Sequence, residues 1–396
     1  MKNNYSIVPK VMASHPGTAA KLVQGFLRQA WSKTIDYNFG KGKAIYVPLV
    51  TFKITPLCNL RCVMCGQRGE RGTLKGEYAR AEAAKIVPVS RYLELTDELA
   101  ERSSIFYIWG GEPFMYPDFM ELAGYMAGRI PGMAVNTNGT FLEENAERIV
   151  KDKWTALFVS LDSFEEENDT MRGKGSYKKV MAGIEAVNRE KKKRKVSKPY
   201  VGIVSTVSNV NFRSLDKLAF ALKDKELSWH IINLGTYTTR EYGEVQEKFM
   251  RDNFGVDSPY WRGFATERNT GIDGEEFNRI LSRVHEMDNG YPIITVPVIR
   301  PSKIGAYYTD LNTLVRDRCT APWFSADINY DGGVHFCADY PDYYLGNILD
   351  EPFMKIYNNE RAVKFRNILK NSPDGLFPGC RRCYQLMLYG RRLPGF

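Results

Sequence analysis

The feature that most constrains the fold is an alternation of short β-rich runs with helical stretches between residues 46 and 235. Alternation of this kind predicts a parallel sheet with right-handed crossovers. We therefore predict an α/β fold, a partial (β/α)6 TIM-like barrel, whose reactive groups gather at the C-terminal ends of the strands. The six predicted strands are residues 45–54, 105–109, 133–137, 156–161, 200–207 and 230–234.

The rest of the chain divides into three further segments around this barrel. Residues 1–45 are predicted to be an N-terminal helical extension, in which apolar residues recur at helical spacing over 19–35. Residues 236–315 lose the strand–helix rhythm and are predicted to be a connector or insertion that shapes the substrate site. Residues 316–396 are predicted to be a small module of a β-hairpin and helices that carries four of the seven cysteines.

Composition limits the class of protein and its partners. No run of about 18 apolar residues is present, and no secretory signal is recognisable, so the predicted location is the cytoplasm. The formal net charge of +9 favours an anionic substrate, an acidic electron donor or an anionic membrane surface. We predict a weak membrane-surface contact through residues 19–35. The basic run 191–195 follows a predicted helix and is expected to be a solvated face, so no nucleic-acid partner is predicted.

Three cysteines follow the first predicted strand at Cys58, Cys62 and Cys65. Seven cysteines in a cytoplasmic chain indicate metal or redox chemistry and not disulfides. A tetrahedral zinc site would need a fourth ligand nearby, whereas three thiolates on one loop suit a [4Fe-4S] cluster with one open iron. An open position is what a chelating cosubstrate needs.

The CxxxCxxC spacing, preceded by a strand and Thr55-Pro-Leu, resembles the radical S-adenosylmethionine (SAM) superfamily. Further motifs follow in the family's order: a GGEP after the second predicted strand, a TNG after the third, an SLD after the fourth, and a later arginine. The resemblance covers roughly residues 46–235. It implies SAM contacts at Gly110, Gly111, Glu112, Pro113, Asn138, Ser160, Asp162, Arg172 and Met64.

The resemblance also implies a role for most of these positions. The GGEP motif holds the amino group of the methionine moiety, and its adjacent glycines let the backbone approach a ligand closely. Ser160 and Asp162 contact the ribose region. Arg172 pairs with the methionine carboxylate, which a guanidinium can bind bidentately. Met64 replaces an aromatic residue that is common in the family, and its thioether can pack against adenine.

A second set of cysteines, Cys319, Cys337, Cys380 and Cys383, lies in the C-terminal module. Four thiolates allow either zinc or a closed [4Fe-4S] cluster. The spacing resembles the SPASM and Twitch auxiliary-cluster modules. A full SPASM module has seven cysteines, so the four here resemble the shorter Twitch type with one cluster. The resemblance implies one auxiliary [4Fe-4S] cluster that transfers an electron or supports the structure.

The resemblance implies that the enzyme cleaves SAM reductively to a 5′-deoxyadenosyl radical, with a flavodoxin or ferredoxin as the reducing partner. We predict that the radical abstracts hydrogen from a small organic substrate, which is oxidised with the help of the auxiliary cluster. The alternatives are a peptide maturase that crosslinks or epimerises, and a redox-neutral enzyme that forms C–C bonds or epimerises a sugar or lipid precursor. A non-enzymatic scaffold is disfavoured by the intact triad. Asn233 and Tyr237 are the substrate-site candidates, and no general base can be named.

Overall fold

The structure, a computed structural model, describes residues 16–102, 105–265 and 271–393. The parts of the predicted terminal segments that fall on residues 1–15 and 394–396 lie outside the described residues. Among the residues that are described, no helix has both the length and the apolarity needed to cross a membrane.

One ten-stranded sheet forms the core, with the strand order β11-β10-β9-β1-β2-β3-β4-β5-β6-β7. Strands β1 to β7 are parallel to one another, which confirms the predicted α/β partial barrel. The short strands β8 and β12 form a separate antiparallel pair. The strands are β1 Leu49–Lys53, β2 Ile105–Trp109, β3 Gly132–Thr137, β4 Ala156–Ser160, β5 Tyr200–Thr206, β6 Trp229–Asn233, β7 Ile293–Val296, β8 Arg316–Asp317, β9 Ser325–Ile328, β10 Gly333–His335, β11 Gly346–Asn347 and β12 Arg391–Arg392.

Helices connect the parallel strands and cover the outer face of the sheet. They follow the predicted pattern, since a helix or helix pair separates each of the strands from β1 to β7. The α-helices of five or more residues are α1 Pro16–Trp31, α2 Gly76–Ala83, α3 Val89–Leu99, α4 Phe119–Arg129, α5 Leu142–Lys151, α6 Glu165–Arg172, α7 Ser176–Arg194, α8 Leu215–Ala221, α9 Arg240–Phe254, α10 Gly274–Glu286, α11 Ile304–Thr309, α12 Phe353–Tyr357, α13 Glu360–Asn371 and α14 Tyr384–Tyr389.

The two faces of the sheet differ in their exposure to solvent. On the outer face, Phe52 of β1 and Phe106 of β2 are 0% exposed, and the Phe52 ring packs edge-on against Phe106 and against Tyr92 of α3. On the interior face, Tyr107 of β2 and Phe158 of β4 remain only partly buried. Side chains alternate between the two faces of a strand. Helices cover the outer face of this sheet, and the interior face is left open for a ligand.

The sheet has one more sequential parallel strand than the six predicted. This strand, β7, lies within residues 236–315, which the sequence predicts to be a connector, and it pairs in parallel with β6. Strand β9 of the C-terminal module also joins the sheet, because it pairs in parallel with β1. The β7 run is only four residues long and lies between Pro292 and Pro297, so its sequence gives a weak strand signal.

The C-terminal module contains the hairpin that the sequence predicts. Strands β9 and β10 are antiparallel, and the turn between them closes through the N–H of Gly332, which donates to the carbonyl of Asn329 at 2.9 Å. A 3-10 turn, Pro378–Arg382, leads into α14. From α14, the Gln385 amide donates to the Asp327 carboxylate at 2.9 Å. The last helix of the module is therefore attached to β9 beside β1.

Candidate active site

The first cysteine cluster lies on the loop between β1 and α2. Its thiols accept backbone hydrogen bonds: the N–H of Leu60 lies 3.4 Å from Cys58 Sγ, and the N–H groups of Gln67 and Arg68 lie 3.4 and 3.3 Å from Cys65 Sγ. Burial raises the pKa of the Cys58 thiol to about 12. Metal binding at such a thiol therefore releases a proton, because the ligand is the thiolate.

The three thiols of this loop fit a cluster with an open iron. All three are free and half-buried, the Cys58 thiol feels the charges of Cys62 and Cys65, and the Cys62 thiol feels the charge of Cys65. Backbone N–H groups face two of the sulfur atoms, and the Arg172 Nη1 atom lies 3.9 Å from the third, Cys62 Sγ. Such donors stabilise thiolates, and three thiolates leave one iron of a [4Fe-4S] cluster without a protein ligand.

The GGEP motif holds the cysteine loop against the end of β2. The N–H of Gly111 donates to the carbonyl of Thr55 at 2.7 Å, and the N–H of Glu112 donates to the carbonyl of Leu57 at 2.7 Å. A Cβ atom at Gly111 would lie 1.9 Å from the Leu57 carbonyl oxygen, so the approach requires glycine. The motif therefore extends the β1–β2 pairing up to Cys58.

Glu112 connects the ends of β2 and β3. Its carboxylate is fully buried and accepts hydrogen bonds from the Thr137 hydroxyl at 2.7 Å and from the Asn138 N–H at 2.8 Å. Burial raises the pKa of Glu112 to about 7. The Asn138 amide in turn donates to the Asn59 side chain at 2.7 Å, on the cysteine loop. The predicted SAM contacts of Gly110, Gly111, Glu112, Pro113 and Asn138 stay predictions.

Arg172 and Asp162 form a buried, bidentate ion pair. The Nε and Nη2 atoms of Arg172 lie 2.7 and 3.0 Å from the two carboxylate oxygens of Asp162, which is 0% exposed. Asp162 also accepts from the N–H of Thr206 at 2.8 Å. The two guanidinium nitrogens that could bind the carboxylate of a ligand bidentately therefore already bind Asp162. The SAM contacts assigned to Ser160, Asp162 and Arg172 stay predictions.

The two substrate-site candidates differ in their surroundings. Tyr237 is 3% exposed, and its hydroxyl donates to the backbone carbonyl of Tyr307, so its polar group is already committed within a tyrosine cluster. Asn233 ends β6 and is half-buried, and its side chain accepts from the N–H of Gly235 at 3.0 Å. Met64 of the cysteine loop is half-buried. Of the two candidates, Asn233 is the better placed to meet a substrate.

The second cysteine cluster joins three parts of the C-terminal module. Cys319 follows β8, Cys337 follows β10, and Cys380 and Cys383 lie around the 3-10 turn before α14. Burial raises the pKa of Cys319 to about 11 and that of Cys380 to about 12. The Cys337 thiol, whose pKa burial also raises, feels the charges of Cys380 and Cys319, so the four groups lie within electrostatic reach.

The four thiols fit a closed [4Fe-4S] cluster. All are free. Within the described parts of the chain, no three His, Cys, Asp or Glu side chains are arranged to hold a single metal ion. In a cubane each thiolate binds a different iron, so the four sulfur atoms stand farther apart than around one zinc ion. Asp339 lies beside this cluster and accepts from the N–H of Tyr384 at 3.0 Å.

The interior face of the barrel carries residues that the sequence analysis missed. The Thr51 hydroxyl of β1 donates to the Asp327 carboxylate of β9, and burial raises the pKa of Asp327 to about 7. Lys53, at the end of β1, is 6% exposed. The sequence contains a signal for these residues, because a lysine and an aspartate occur inside apolar strand segments and buried charged residues are rare.

Comparison with known proteins agrees with both cluster sites. Residues 52–210 match the radical SAM superfamily, and residues 319–384 match SPASM, an iron–sulfur cluster-binding domain. The AdoMet-dependent heme synthase of Methanosarcina barkeri is 31% identical over 85% of this chain and 88% of its own length. The Fe-coproporphyrin III synthase of the same organism is 24% identical over 81% of this chain and 75% of its own. A mycofactocin maturase of Mycobacterium ulcerans is 35% identical, but over only 34% of this chain and 35% of its own.

Solved structures share the fold at low sequence identity. Streptococcus suis SuiB bound to S-adenosylmethionine has a TM-score of 0.59 and 12% identity, and the likeness covers 88% of this chain and 80% of SuiB. The enzyme anSMEcpe with bound AdoMet has a TM-score of 0.52 and 17% identity, over 86% and 94% of the two chains.

This chain belongs to the radical SAM superfamily and carries a C-terminal SPASM domain. Its cofactors are SAM, a [4Fe-4S] cluster for the radical SAM domain and a second [4Fe-4S] cluster for the SPASM domain. The two sets of cysteines described above are the residues that we assign to these clusters.

Proposed function

We propose that this radical SAM enzyme oxidises a small, flat organic molecule of the porphyrin class, with the auxiliary cluster as electron acceptor. The observation that carries the proposal is a partly open aromatic surface on the interior face of the barrel. Two relatives that align with most of this chain are named for coproporphyrin and heme synthesis, which suits such a surface. The reducing partner that we propose is a flavodoxin or ferredoxin, in the cytoplasm.

The aromatic surface consists of Tyr107 and Phe158, which are partly buried, and of Trp229, which is 7% exposed. The ring centroids of Tyr107 and Phe158 lie 5.5 Å apart, and those of Phe158 and Trp229 lie 5.0 Å apart. The Trp229 indole lies directly against the backbone of β5, since a Cβ atom at Gly202 would come within 2.0 Å of its Nε1. Among the described residues, that Nε1 has no hydrogen-bond partner. Rings with exposed faces bind planar apolar ligands well.

The arrangement of the auxiliary module supports an electron-transfer role. When bound, the catalytic cluster and SAM supply the radical that removes hydrogen from the substrate. The chain contributes the interior face on which a substrate is oriented, and the strand residues around it limit access of water. Gln385, two residues after the ligand Cys383, is hydrogen-bonded to Asp327 of the interior face. An auxiliary cluster there lies next to the substrate region, and a closed cluster suits electron transfer.

The first test is the redox balance of the reaction. Anaerobically reconstituted protein, SAM, a reductant and Fe-coproporphyrin III are expected to give 5′-deoxyadenosine and a product that is two electrons more oxidised than the porphyrin. Mass spectrometry of the porphyrin and chromatography of the nucleoside measure both. A product isomeric with its substrate would reject net oxidation, and an unchanged porphyrin would reject the substrate class.

Peptide maturation is the second candidate function. The likeness to SuiB, which has been solved bound to its precursor peptide SuiA, favours it. A match to the subtilosin biosynthesis protein AlbA of Bacillus subtilis, 24% identical over 79% of this chain and 60% of AlbA, also favours it. A mass change in a peptide encoded beside this chain, with no turnover of the porphyrin, would select this function instead.

The N-terminal extension presents an exposed apolar surface, which supports the proposed membrane contact. Phe26 and Leu27 of α1 are 54% and 66% exposed, and Phe39, after a π-helical turn at Ser32–Asp36, is 75% exposed. The exposed basic residues Lys21, Lys41 and Lys43 lie in the same extension. Apolar side chains flanked by lysines suit an anionic lipid surface.

The vesicle-binding prediction uses a double variant of this surface. Phe26→Ser with Leu27→Ser is expected to lower partitioning to vesicles with one third anionic lipid by at least about tenfold, because two large apolar side chains no longer enter the bilayer. Co-sedimentation measures the partitioning. Phe220→Ser is the matched control, since Phe220 is 63% exposed on α8. Equal sedimentation of the wild type with neutral and anionic vesicles, or none with either, would contradict the proposal.

A further inference from the structure

Lys53 is a buried cation on the interior face of the barrel. It ends β1 on the same face as Thr51, because side chains alternate along a strand, and Thr51 contacts Asp327 and is in register with Tyr107. The intervening residue, Phe52, points the other way and packs against α3. Lys53 is therefore on the face that carries the aromatic surface, at the strand end from which the cysteine loop departs.

Within the part of the chain that the structure describes, Lys53 has no anionic partner in direct contact. To the other described residues it makes neither a hydrogen bond nor an ion pair, and its ammonium lies 5.6 Å from the ring centroid of Tyr260 and 5.3 Å from that of Tyr330. Ionised side chains are buried only when they are paired, whereas Lys53 is 6% exposed beside two tyrosine rings and has no ion-pair partner among the described residues.

The acidic groups near Lys53 are engaged elsewhere. Glu82 accepts from the Tyr330 hydroxyl at 2.8 Å and from the Lys85 ammonium at 2.6 Å. Asp331 accepts from the N–H of Gly333 at 3.0 Å. The other titratable groups that Lys53 senses are the Cys65 thiol, which we assign to the catalytic cluster, and the buried His335 imidazole. None of these groups makes a direct contact with the ammonium.

We propose that Lys53 binds a carboxylate of the substrate, with the rings of Tyr260 and Tyr330 beside the ammonium. An ammonium is a compact charge that pairs strongly with a carboxylate when water is excluded. A substrate with its carboxylate on Lys53 extends along the interior face towards Tyr107 and Phe158. The ligand class is thus a flat aromatic molecule that carries at least one carboxylate. This inference deepens the proposed function, and the identification of the ligand as a porphyrin rests on that function.

The test measures binding with two probes, each paired with a neutral analogue. Holoenzyme with both clusters and SAM is titrated with Fe-coproporphyrin III, followed by its Soret band, and with 1-pyrenebutyrate, followed by fluorescence. The neutral analogues are the methyl esters of the two acids. For the wild type, each acid is expected to bind at least about 30-fold more tightly than its ester, since only the acid pairs with the ammonium. This comparison needs no variant.

The variants are Lys53→Met, which keeps the length of the side chain, and Lys53→Arg, which keeps its charge. Lys53→Met is expected to weaken binding of both acids by about 30-fold or more while leaving the esters unchanged, and Lys53→Arg is expected to recover most of the loss. Lys217→Met, at an exposed position on α8, is the matched control and is expected to bind like the wild type. Iron content and melting temperature establish that each variant is folded and loaded.

The outcomes separate this proposal from the proposed function. If pyrenebutyrate binding depends on Lys53 but the porphyrin does not bind, the anion site stands and the porphyrin assignment fails. If the porphyrin binds the wild type and Lys53→Met equally, the anion site fails and the porphyrin assignment stands. If acids and esters bind the wild type equally, or if neither acid binds it, the role of Lys53 is overturned.

Discussion

Replacement of Cys58, Cys62 and Cys65 together by alanine is expected to abolish 5′-deoxyadenosine formation while leaving about four irons bound per chain, against about eight in the wild type. The physical reason is that these three thiolates are the ligands that we assign to the cluster that contacts SAM. The remaining irons stay with the second set of cysteines, which is held by different elements. Iron analysis of anaerobically reconstituted protein and chromatography of the nucleoside measure the two quantities.

The matched control replaces the second set of cysteines. Alanine at Cys319, Cys337, Cys380 and Cys383 is expected to leave about four irons on the first loop. Continued SAM cleavage by the triple variant would contradict the assignment of the catalytic cluster. About four irons together with one zinc in the wild type would show that the C-terminal site is not a cluster, and would remove the electron acceptor from the proposed reaction.

Arg172→Met is expected to lower the free energy of unfolding by about 3–5 kcal/mol, because it leaves the fully buried carboxylate of Asp162 without its counter-charge. The same variant is expected to weaken SAM binding by about 2–5 kcal/mol if Arg172 also pairs with the methionine carboxylate. Chemical denaturation of the apoprotein measures the first effect, and calorimetric titration of the holoenzyme with SAM measures the second.

A double variant separates stability from binding. Asp162→Asn combined with Arg172→Met buries no unpaired charge and keeps an oxygen that can accept from the N–H of Thr206. It is therefore expected to regain much of the lost stability. SAM binding is expected to stay weak in the double variant. Wild-type stability of Arg172→Met would mean that the ion pair contributes little, and wild-type SAM affinity would reject the predicted contact.

The buried ion pair changes how the predicted arginine acts. In the structure Arg172 is fixed by Asp162 and directs its remaining nitrogen, Nη1, towards Cys62 Sγ at 3.9 Å. A positive charge at that distance stabilises a thiolate and hence a cluster bound to it. Arg172 can therefore serve the cluster even where SAM is absent. The distance between a helix end and a cysteine loop is set by the closure of the barrel, so the motif alone did not predict this contact.

Local sequence determined the parallel core and the positions of the cluster ligands. The strand predicted at 105–109 is β2, and the strands predicted at 133–137, 156–161, 200–207 and 230–234 agree with β3 to β6 within a residue at either end. These strands are apolar runs bounded by loops, and each is followed by a helix with its own periodicity, so short-range pattern suffices. The cysteines were also found from a local pattern, because the spacing of ligands along the chain reflects the geometry of the cluster.

Tertiary structure alone decided what surrounds the predicted ligands. The parallel pairing of β9 with β1 joins residues that are far apart in the sequence, and it brings Asp327 to Thr51. The same closure leaves Lys53 without an ion-pair partner among the described residues and gathers the aromatic surface from β2, β4 and β6. No periodicity within one segment encodes a contact between distant strands, because such contacts depend on how the whole sheet curves and which face the helices cover. The cysteines that we assign as cluster ligands could therefore be named from the sequence, whereas the surface that we propose for the substrate appeared only in the folded chain.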